Sequence, residues 1–493
     1  VPHLSSEFYL AASPILILCV TALIALLMSV SKVWKGTAIL KGFNLISLIV
    51  AFGFALNNFV TGGLGVQIYL SGGYLSSRLG DLGQVLILLI SIVVTQMISI
   101  SYLSSKFNRG EIVALFHMVI AGMLALVGTD DLVTFFVGLE MASIGMYALV
   151  GYTKPTKISQ EAAVKYFVLG SIAAAILLFG FGFIFAVTGS LRISEIGAAI
   201  AKVALNPWAR LGVIFTLAGI GFKLALVPFH MWTADAYEGA PTGLTVFMAT
   251  AMKVMIVIGA IRLFDSNLSE VKSVWLPALG FMAAASLIFA NIMALAQQSL
   301  KRLFAYSSIA HSGYMALSLA AMGGVSSAHQ VPSLIFYLIA YVVISLGVFA
   351  IIMWLENERC ENLMVDDMAG LAKRYPLTAT SMAVFMFALG GMPPTMGFIS
   401  KFYVFNAALS NNMMALVVVA AIGSTISLYY YMRLIVKMFM LEPNPALENL
   451  IKPVKSKWTV AIVGFCVVVV LAGGTFAPET FMRLAKSTTV QSE

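Results

Sequence analysis

Five ionisable side chains stand inside apolar runs long enough to cross a bilayer: the carboxylate of Glu140 and the amines of Lys165, Lys223, Lys253 and Lys401. A charged group at membrane depth costs roughly 2.5–3.5 kcal/mol even on a lenient insertion scale, so four lysines together cost roughly 10–14 kcal/mol. That equals the whole stability of an ordinary domain, about 5–15 kcal/mol. Such side chains persist where they face protein or water and move ions or protons. An amine withdrawn from water gives up its proton more easily, which is what a proton carrier needs. The five positions therefore read as a path for protons.

Glu140 follows Asp130 by ten residues, which at a helical rise of 1.5 Å per residue puts it about 15 Å deep, at the midplane. Its natural partner is Lys223, because a buried pair whose strength changes when one proton leaves is an electrostatic switch. The plainer alternative is a static ion pair that only fixes helix packing. Against it, five charges with a single acid leave several lysines without a partner. Lys165 lies nearer one face, and either joins Lys223 and Lys253 in a row or snorkels to the interface. Lys253 falls near the centre of its run and Lys401 belongs to the second half of the chain. Histidines could relay protons between these amines. His311, within Tyr306–Tyr314, is the best placed; His230 follows Pro228, with Asp235 and Glu238 close behind. His117 and His329 read as packing or loop residues, and His3 is terminal.

The elements that must carry these groups are membrane helices. With 60% hydrophobic and 10% charged residues over 493 positions, the chain is not a soluble globule, in which charged residues run near 25%. The apolar runs extend over about 20 residues without strict alternation, which excludes a transmembrane barrel. The fold class is all-α integral membrane, with about 14 transmembrane helices. They are predicted near 8–31, 38–60, 81–104, 110–128, 131–152, 159–188, 207–232, 241–264, 274–296, 301–323, 331–355, 376–408, 411–440 and 458–477. The first run, from Phe8 to Val30, lacks a basic n-region and a cleavage site and reads as a retained span.

The net charge of +8 does not indicate nucleic acid, because the basic residues are spread through short loops without interleaved aromatics. With both termini outside, seventeen loop cations face inward, Lys32, Lys35, Lys154, Arg359, Lys452 and Lys455 among them, and eight face outward. The positive-inside rule then places both termini on the outer, periplasm-like side. Cys19, Cys360 and Cys466 are isolated and offer no iron–sulfur or CxxC site. No metal-ligand spacing, phosphate loop, nucleophile elbow or quinone headgroup pocket is legible, so chemistry on a substrate is not expected here.

Two of the long runs are interrupted by Gly and Pro at their centres, Gly219–His230 and Gly390–Lys401, each with one lysine. Proline removes a backbone donor and clashes with the preceding turn, so each helix should break and free carbonyls at membrane depth. Paired broken helices point to an inverted-repeat transporter. The seventh and twelfth helices lie five spans apart, giving repeats of helices 4–8 and 9–13. The expected divisions are residues 1–105 (three N-terminal helices), 106–265 and 266–441 (the two inverted five-helix repeats) and 442–493 (the last helix and tail).

The run Val-Pro-Phe-His-Met-Trp-Thr-Ala-Asp-Ala-Tyr-Glu-Gly-Ala-Pro from Val227 to Pro241 resembles the antiporter-like subunits of respiratory complex I and the related Mrp sodium/proton antiporters. Ala163–Gly170, Ser299–His311 and Gly397–Tyr403 are similar to the N-type subunits of bacterial NADH:quinone oxidoreductase within that family. The resemblance implies fourteen helices, broken helices seven and twelve, and a hydrophilic axis. It also implies roles: Glu140 with Lys223 as controlling pair, Lys165 near it, Lys253 as central relay and Lys401 as exit-side group. The M type typically carries glutamate at the last position, and the L type a long C-terminal lateral helix, so the N type fits best.

The resemblance further implies a translocase subunit with no redox centre of its own, FMN, iron–sulfur clusters and quinone being expected in partner subunits. Those partners would be neighbouring antiporter-like subunits and small K, J, A and H type subunits, in a bacterial inner membrane. Two alternatives stay open: a cation/proton antiporter subunit of the Mrp type, and the membrane arm of a related hydrogenase or NDH complex. A bare membrane scaffold would not require buried lysines.

Overall fold

The computed structural model describes residues 6–30, 38–62, 66–101, 104–152, 156–203, 206–265, 268–323, 330–356, 362–443 and 456–488. His3, His329, Cys360 and the loop cations Lys32, Lys35, Lys154, Arg359, Lys452 and Lys455 lie outside the described residues. The chain is helical almost throughout. In order come α1 (Ser6–Ala11), α2 (Ser13–Val30), α3 (Ala38–Thr61), a short hairpin of β1 (Gln67–Tyr69) and β2 (Tyr74–Ser76), α4 (Arg78–Ile100), α5 (Ser104–Phe107), α6 (Gly110–Val127), α7 (Leu132–Tyr152) and α8 (Lys157–Thr188). There follow α9 (Ile193–Ala201), α10 (Pro207–Lys223), α11 (Met231–Gly239), α12 (Thr242–Ala249), α13 (Ala251–Phe264), α14 (Lys272–Leu295), α15 (Leu300–Ala321) and α16 (Gln330–Leu355). The series ends with α17 (Leu371–Arg374), α18 (Pro376–Gly390), α19 (Met396–Leu409), α20 (Met414–Met440), α21 (Lys457–Thr475) and α22 (Pro478–Lys486).

Among the described residues, 11 helices are long and apolar enough to cross a membrane. The other three windows of the sequence reading are filled by α15 and by the split pairs α10/α11 and α18/α19. Burial sorts the helices by position in the bundle. The segment Thr242–Phe264 is 100% buried and Gln330–Leu355 94%, whereas α2 and α21 are each 22% buried and turn large apolar side chains outward. In water such a surface would be a liability; in a bilayer it is the lipid-facing wall.

Backbone groups freed within the bilayer need partners inside the protein, and both predicted breaks supply them. The first break runs from Leu224 to His230, with Ala225 at φ 60° and a cis Val227–Pro228 bond. Here Leu226 N bonds to Gly221 O at 2.8 Å and Val227 N to Ser286 Oγ of α14 at 2.9 Å. The second runs from Gly391 to Thr395, with Gly391 at φ 81° and a cis Pro393–Pro394 bond. Met392 N bonds to Phe387 O at 2.9 Å, and Thr395 caps α19 through Phe398 N.

A further interruption, not foreseen, falls at Thr250, whose φ of −118° and ψ of −74° separate α12 from α13 within the predicted span 241–264. The hairpin and the short helices α9 and α22 also went unforeseen, because they are far shorter than the apolar runs of about 20 residues that mark a membrane span.

Candidate functional site

Lys223 is the last residue of α10, held at the lip of the first break. Its side chain is 3% exposed and its Nζ donates to Ser143 Oγ at 2.7 Å and to Tyr147 OH at 3.2 Å, both on α7. The Ser143 hydroxyl donates in turn to Leu139 O, so toward Lys223 it acts only as an acceptor. Glu140 Oε1 lies 3.5 Å from Nζ, beyond the about 2.7–2.9 Å of a close charge-assisted bond, and has no hydrogen-bond partner among the described residues. The predicted pair therefore exists and is loose. Glu140 is also not sealed in: 17% of its side chain is exposed.

Room for this arrangement comes from Gly170 of α8, where a Cβ would stand 2.0 Å from Tyr147 OH. The Tyr147 ring meets Tyr166 edge-on at 4.5 Å, and Tyr166 stacks on Trp232 of α11 at 4.4 Å. Trp232 Nε1 donates to Phe222 O at 3.2 Å, next to Lys223. Five residues along the same short helix, Tyr237 OH lies 3.3 Å from Ser308 Oγ. Half-helix α11 thus has one end against the Lys223 site and the other against the Lys253 site.

Lys253 sits three residues past the Thr250 interruption and is 2% exposed. Its Nζ donates to Ser308 O and Ser312 Oγ of α15, both at 2.7 Å, and lies 5.0 Å from the Tyr341 ring centre. Tyr341 OH donates to Ser308 Oγ at 2.9 Å. His311, on α15 between these serines, bonds through Nδ1 to Tyr337 OH at 2.6 Å and faces Tyr431 OH of α20 through Nε2 at 3.4 Å. Tyr431 OH in turn pairs with Ser307 Oγ.

Lys401, five residues into α19, reaches back across the second break. Its Nζ donates to Leu389 O and Gly390 O at the end of α18, both at 3.0 Å, and to Ser424 Oγ at 2.9 Å. It lies 5.0 Å from the Tyr314 ring centre. At Gly391 a Cβ would meet Lys401 Cδ at 2.8 Å, so glycine is what allows the reach. Between His311 and Lys401 lies a cavity of about 10 Å³, also lined by Tyr337, Tyr341 and Ser400, at the lower limit for one water. Among the described residues no carboxylate lies within ion-pair distance of Lys253 or Lys401.

Two expected members are placed differently. Lys165 is not an unpartnered buried amine: its side chain is 46% exposed and bonds to Glu161 at 2.7 Å and Asp235 at 2.8 Å. Lys165 stands eight residues past the start of α8, and its flexible stem carries the amine to the carboxylates of Glu161 and Asp235. His230 stands just before α11 without a side-chain cap bond and packs edge-on against Phe289 at 4.8 Å; among the described residues its Nδ1 has no hydrogen-bond partner and no side-chain bond joins it to the lysine row. Asp235 and Glu238 instead bind Arg302, at 2.8 and 2.9 Å.

Sequence reading missed the hydroxyls that connect the amines. A signal was present: Ser333, Tyr337, Tyr341 and Ser345 recur every four residues along the otherwise apolar α16. It also missed a second buried ion pair, Lys301 with Glu356, because both stand at helix ends and count as loop charges there. His117 is a satisfied packing residue as expected, held by Thr21 Oγ1 at 3.0 Å and Asn44 Oδ1 at 3.0 Å.

Residues 129–427 match the family described as NADH:quinone oxidoreductase/Mrp antiporter, TM. The chain is similar to NADH-quinone oxidoreductase subunit N 1 of Sorangium cellulosum, 39% identical over 77% of this chain and 76% of that one. Its fold superposes on a chain of respiratory complex I from Thermus thermophilus with TM-score 0.81 and 30% identity, covering 96% of this chain and 99% of the other. A chain of the Mrp complex of a Dietzia species shares the fold alone, with TM-score 0.81 and 19% identity over 97% of each chain.

Proposed function

Because this chain belongs to the NADH:quinone oxidoreductase/Mrp antiporter membrane family, we propose a route by which it carries protons. It is an N-type, proton-translocating membrane-arm subunit of an NADH:quinone oxidoreductase, a multi-pass component of a multi-subunit membrane complex. The redox cofactors, FMN, iron–sulfur clusters and quinone, belong to partner subunits in this reading, and the neighbours are other antiporter-like chains and small K, J, A and H type subunits. The excess of loop cations on one side supports a bacterial inner membrane with both termini periplasmic. Residues 106–265 and 266–441 are read as inverted copies. The correspondence is not exact in register, since Lys223 precedes its break and Lys401 follows its own.

The reading rests on one observation: Lys253 of α13, His311 of α15 and Lys401 of α19 share a buried tract of hydroxyls on α15, α16 and α20. Hydroxyls both accept and donate, so they pass protons between groups that hold them. Quinone reduction elsewhere perturbs the exposed edge of Glu140. As the carboxylate moves off, the Lys223 ammonium keeps only neutral partners, Ser143 and Tyr147, and releases its proton toward Lys253. From Lys253 the proton passes through His311 to Lys401 and the outside. Lys165, outside this row, holds Asp235 beside Arg302 and so positions α11.

The test is Lys223→Ala in the whole complex reconstituted in vesicles. Proton translocation should fall about a hundredfold, as for loss of a positioned proton carrier, with assembly intact. Normal pumping by an assembled variant rejects the route.

A further inference from the structure

We propose that Glu356, paired with Lys301 and hydrogen-bonded to Thr242, is the inner-side proton intake of this subunit, a gated carboxylate that feeds Lys253. The inference deepens the route above and rests on Lys253 being its relay. Lys301 Nζ lies 3.3 Å from Glu356 Oε1, with side chains 2% and 3% exposed. Thr242 Oγ1 donates to Glu356 Oε2, and Lys301 Nζ also donates to Ala240 O at 3.1 Å. The start of α12, the start of α15 and the residue after α16 therefore meet at one charged point, at the bundle end assigned to the inner side.

This point is buried yet next to the surface. Lys301 is followed directly by Arg302, whose guanidinium holds Asp235 and Glu238 in a half-exposed cluster with Lys165 and Glu161. Protons reaching those surface carboxylates are one residue from the pair. On its other side the way leads inward. Thr245, one turn along α12 from Thr242, bonds to Tyr237 O at 3.0 Å, and Tyr237 OH reaches Ser308, whose carbonyl accepts from Lys253. Ser308 lies seven residues beyond Lys301 on α15, about 10 Å deeper at helical rise.

A buried ion pair is weak grounds for stability, because well-packed apolar residues of the same size serve as well or better. It is a good gate. The Glu356 carboxylate takes a proton from hydronium at the inner surface and becomes neutral; its attraction for Lys301 drops, and the new O–H is free to hand its proton to the Thr242 hydroxyl, from which water carries it along α12 past the Tyr237 and Ser308 hydroxyls to the Lys253 amine. Lys253 becomes an ammonium, Glu356 returns to carboxylate, and the pair closes again.

The experiment compares variants of the whole complex in proteoliposomes for assembly, NADH oxidation and proton translocation. Glu356→Gln should assemble and pump about a hundredfold more slowly, the low end for loss of a proton donor and acceptor, while Glu356→Asp, which keeps a titratable carboxyl, pumps faster than Glu356→Gln. The double variant Lys301→Met with Glu356→Leu restores packing without charge. It should assemble yet pump as poorly as Glu356→Gln, and normal pumping by it overturns the proposal by making the pair structural. Should Glu356→Gln fail to assemble, the double variant decides alone. In the unaltered complex, NADH addition should raise an infrared carboxylic C=O band that shifts in Glu356→Asp, and an unshifted band counts against the gate. Lys253→Ala, run in parallel, separates the two readings: normal pumping there refutes the relay, whereas impaired Lys253→Ala beside normal Glu356→Gln refutes only the gate.

Discussion

The contact between Lys223 and Glu140 is long, and that length is informative. At 3.5 Å the amine feels the carboxylate without a close hydrogen bond, while Ser143 at 2.7 Å carries the geometry. A partner bound this loosely is removed or restored at little expense, as a switch requires. Glu140→Gln keeps the shape and removes the charge; coupling of NADH oxidation to pumping should be lost, read as acidification of the vesicle interior per NADH consumed. Unchanged coupling would make the pair a packing device. Tyr147 gives a second check. Gly170→Ala places a methyl group 2.0 Å from the Tyr147 hydroxyl and must push it off Lys223, whereas Gly182 on the same helix has open space. Since displacement of a reacting group by about 1 Å costs about a hundredfold, pumping should fall in that range for Gly170→Ala and stay unchanged for Gly182→Ala.

The broken helices trade continuous hydrogen bonding for exposed carbonyls and a turn, and neighbouring helices settle the account. Ser286 of α14 accepts from Val227 N at the first break. Ser286→Ala leaves that buried N–H unpaired and should destabilise the assembled complex by about 1–3 kcal/mol, seen as a lower melting temperature with proton transfer per turnover intact. The breaks were legible beforehand because Pro228, Pro393 and Pro394 leave a local mark. The Thr250 interruption was not, since it contains neither Gly nor Pro to mark it. Burial was legible for Lys223, Lys253 and Lys401, which stand mid-run, whereas Lys165, for which snorkelling stood as the alternative, turns its flexible stem to Asp235. Pairings such as Lys301 with Glu356 join residues 55 positions apart at helix ends, where a sequence window sees only loop charge.

In the proposed route the charged groups act as one line, supported by α11, which touches both the Lys223 site and Ser308, and by His311, which lies between Lys253 and Lys401. A line and a set of separate channels make different demands on multiple variants. If each lysine served its own channel, losses from Lys223→Ala and Lys401→Ala would be independent and their free-energy effects would add, as for sites with no shared step. If they stand in series, one missing member already stops the flow, and residues that act as a unit are strongly non-additive. The expected result is that Lys223→Ala with Lys401→Ala pumps no more slowly than the worse single variant. Initial rates of proton translocation by the assembled complexes measure this directly. A double variant about a hundredfold below either single one would show two independent routes and break the line into parts.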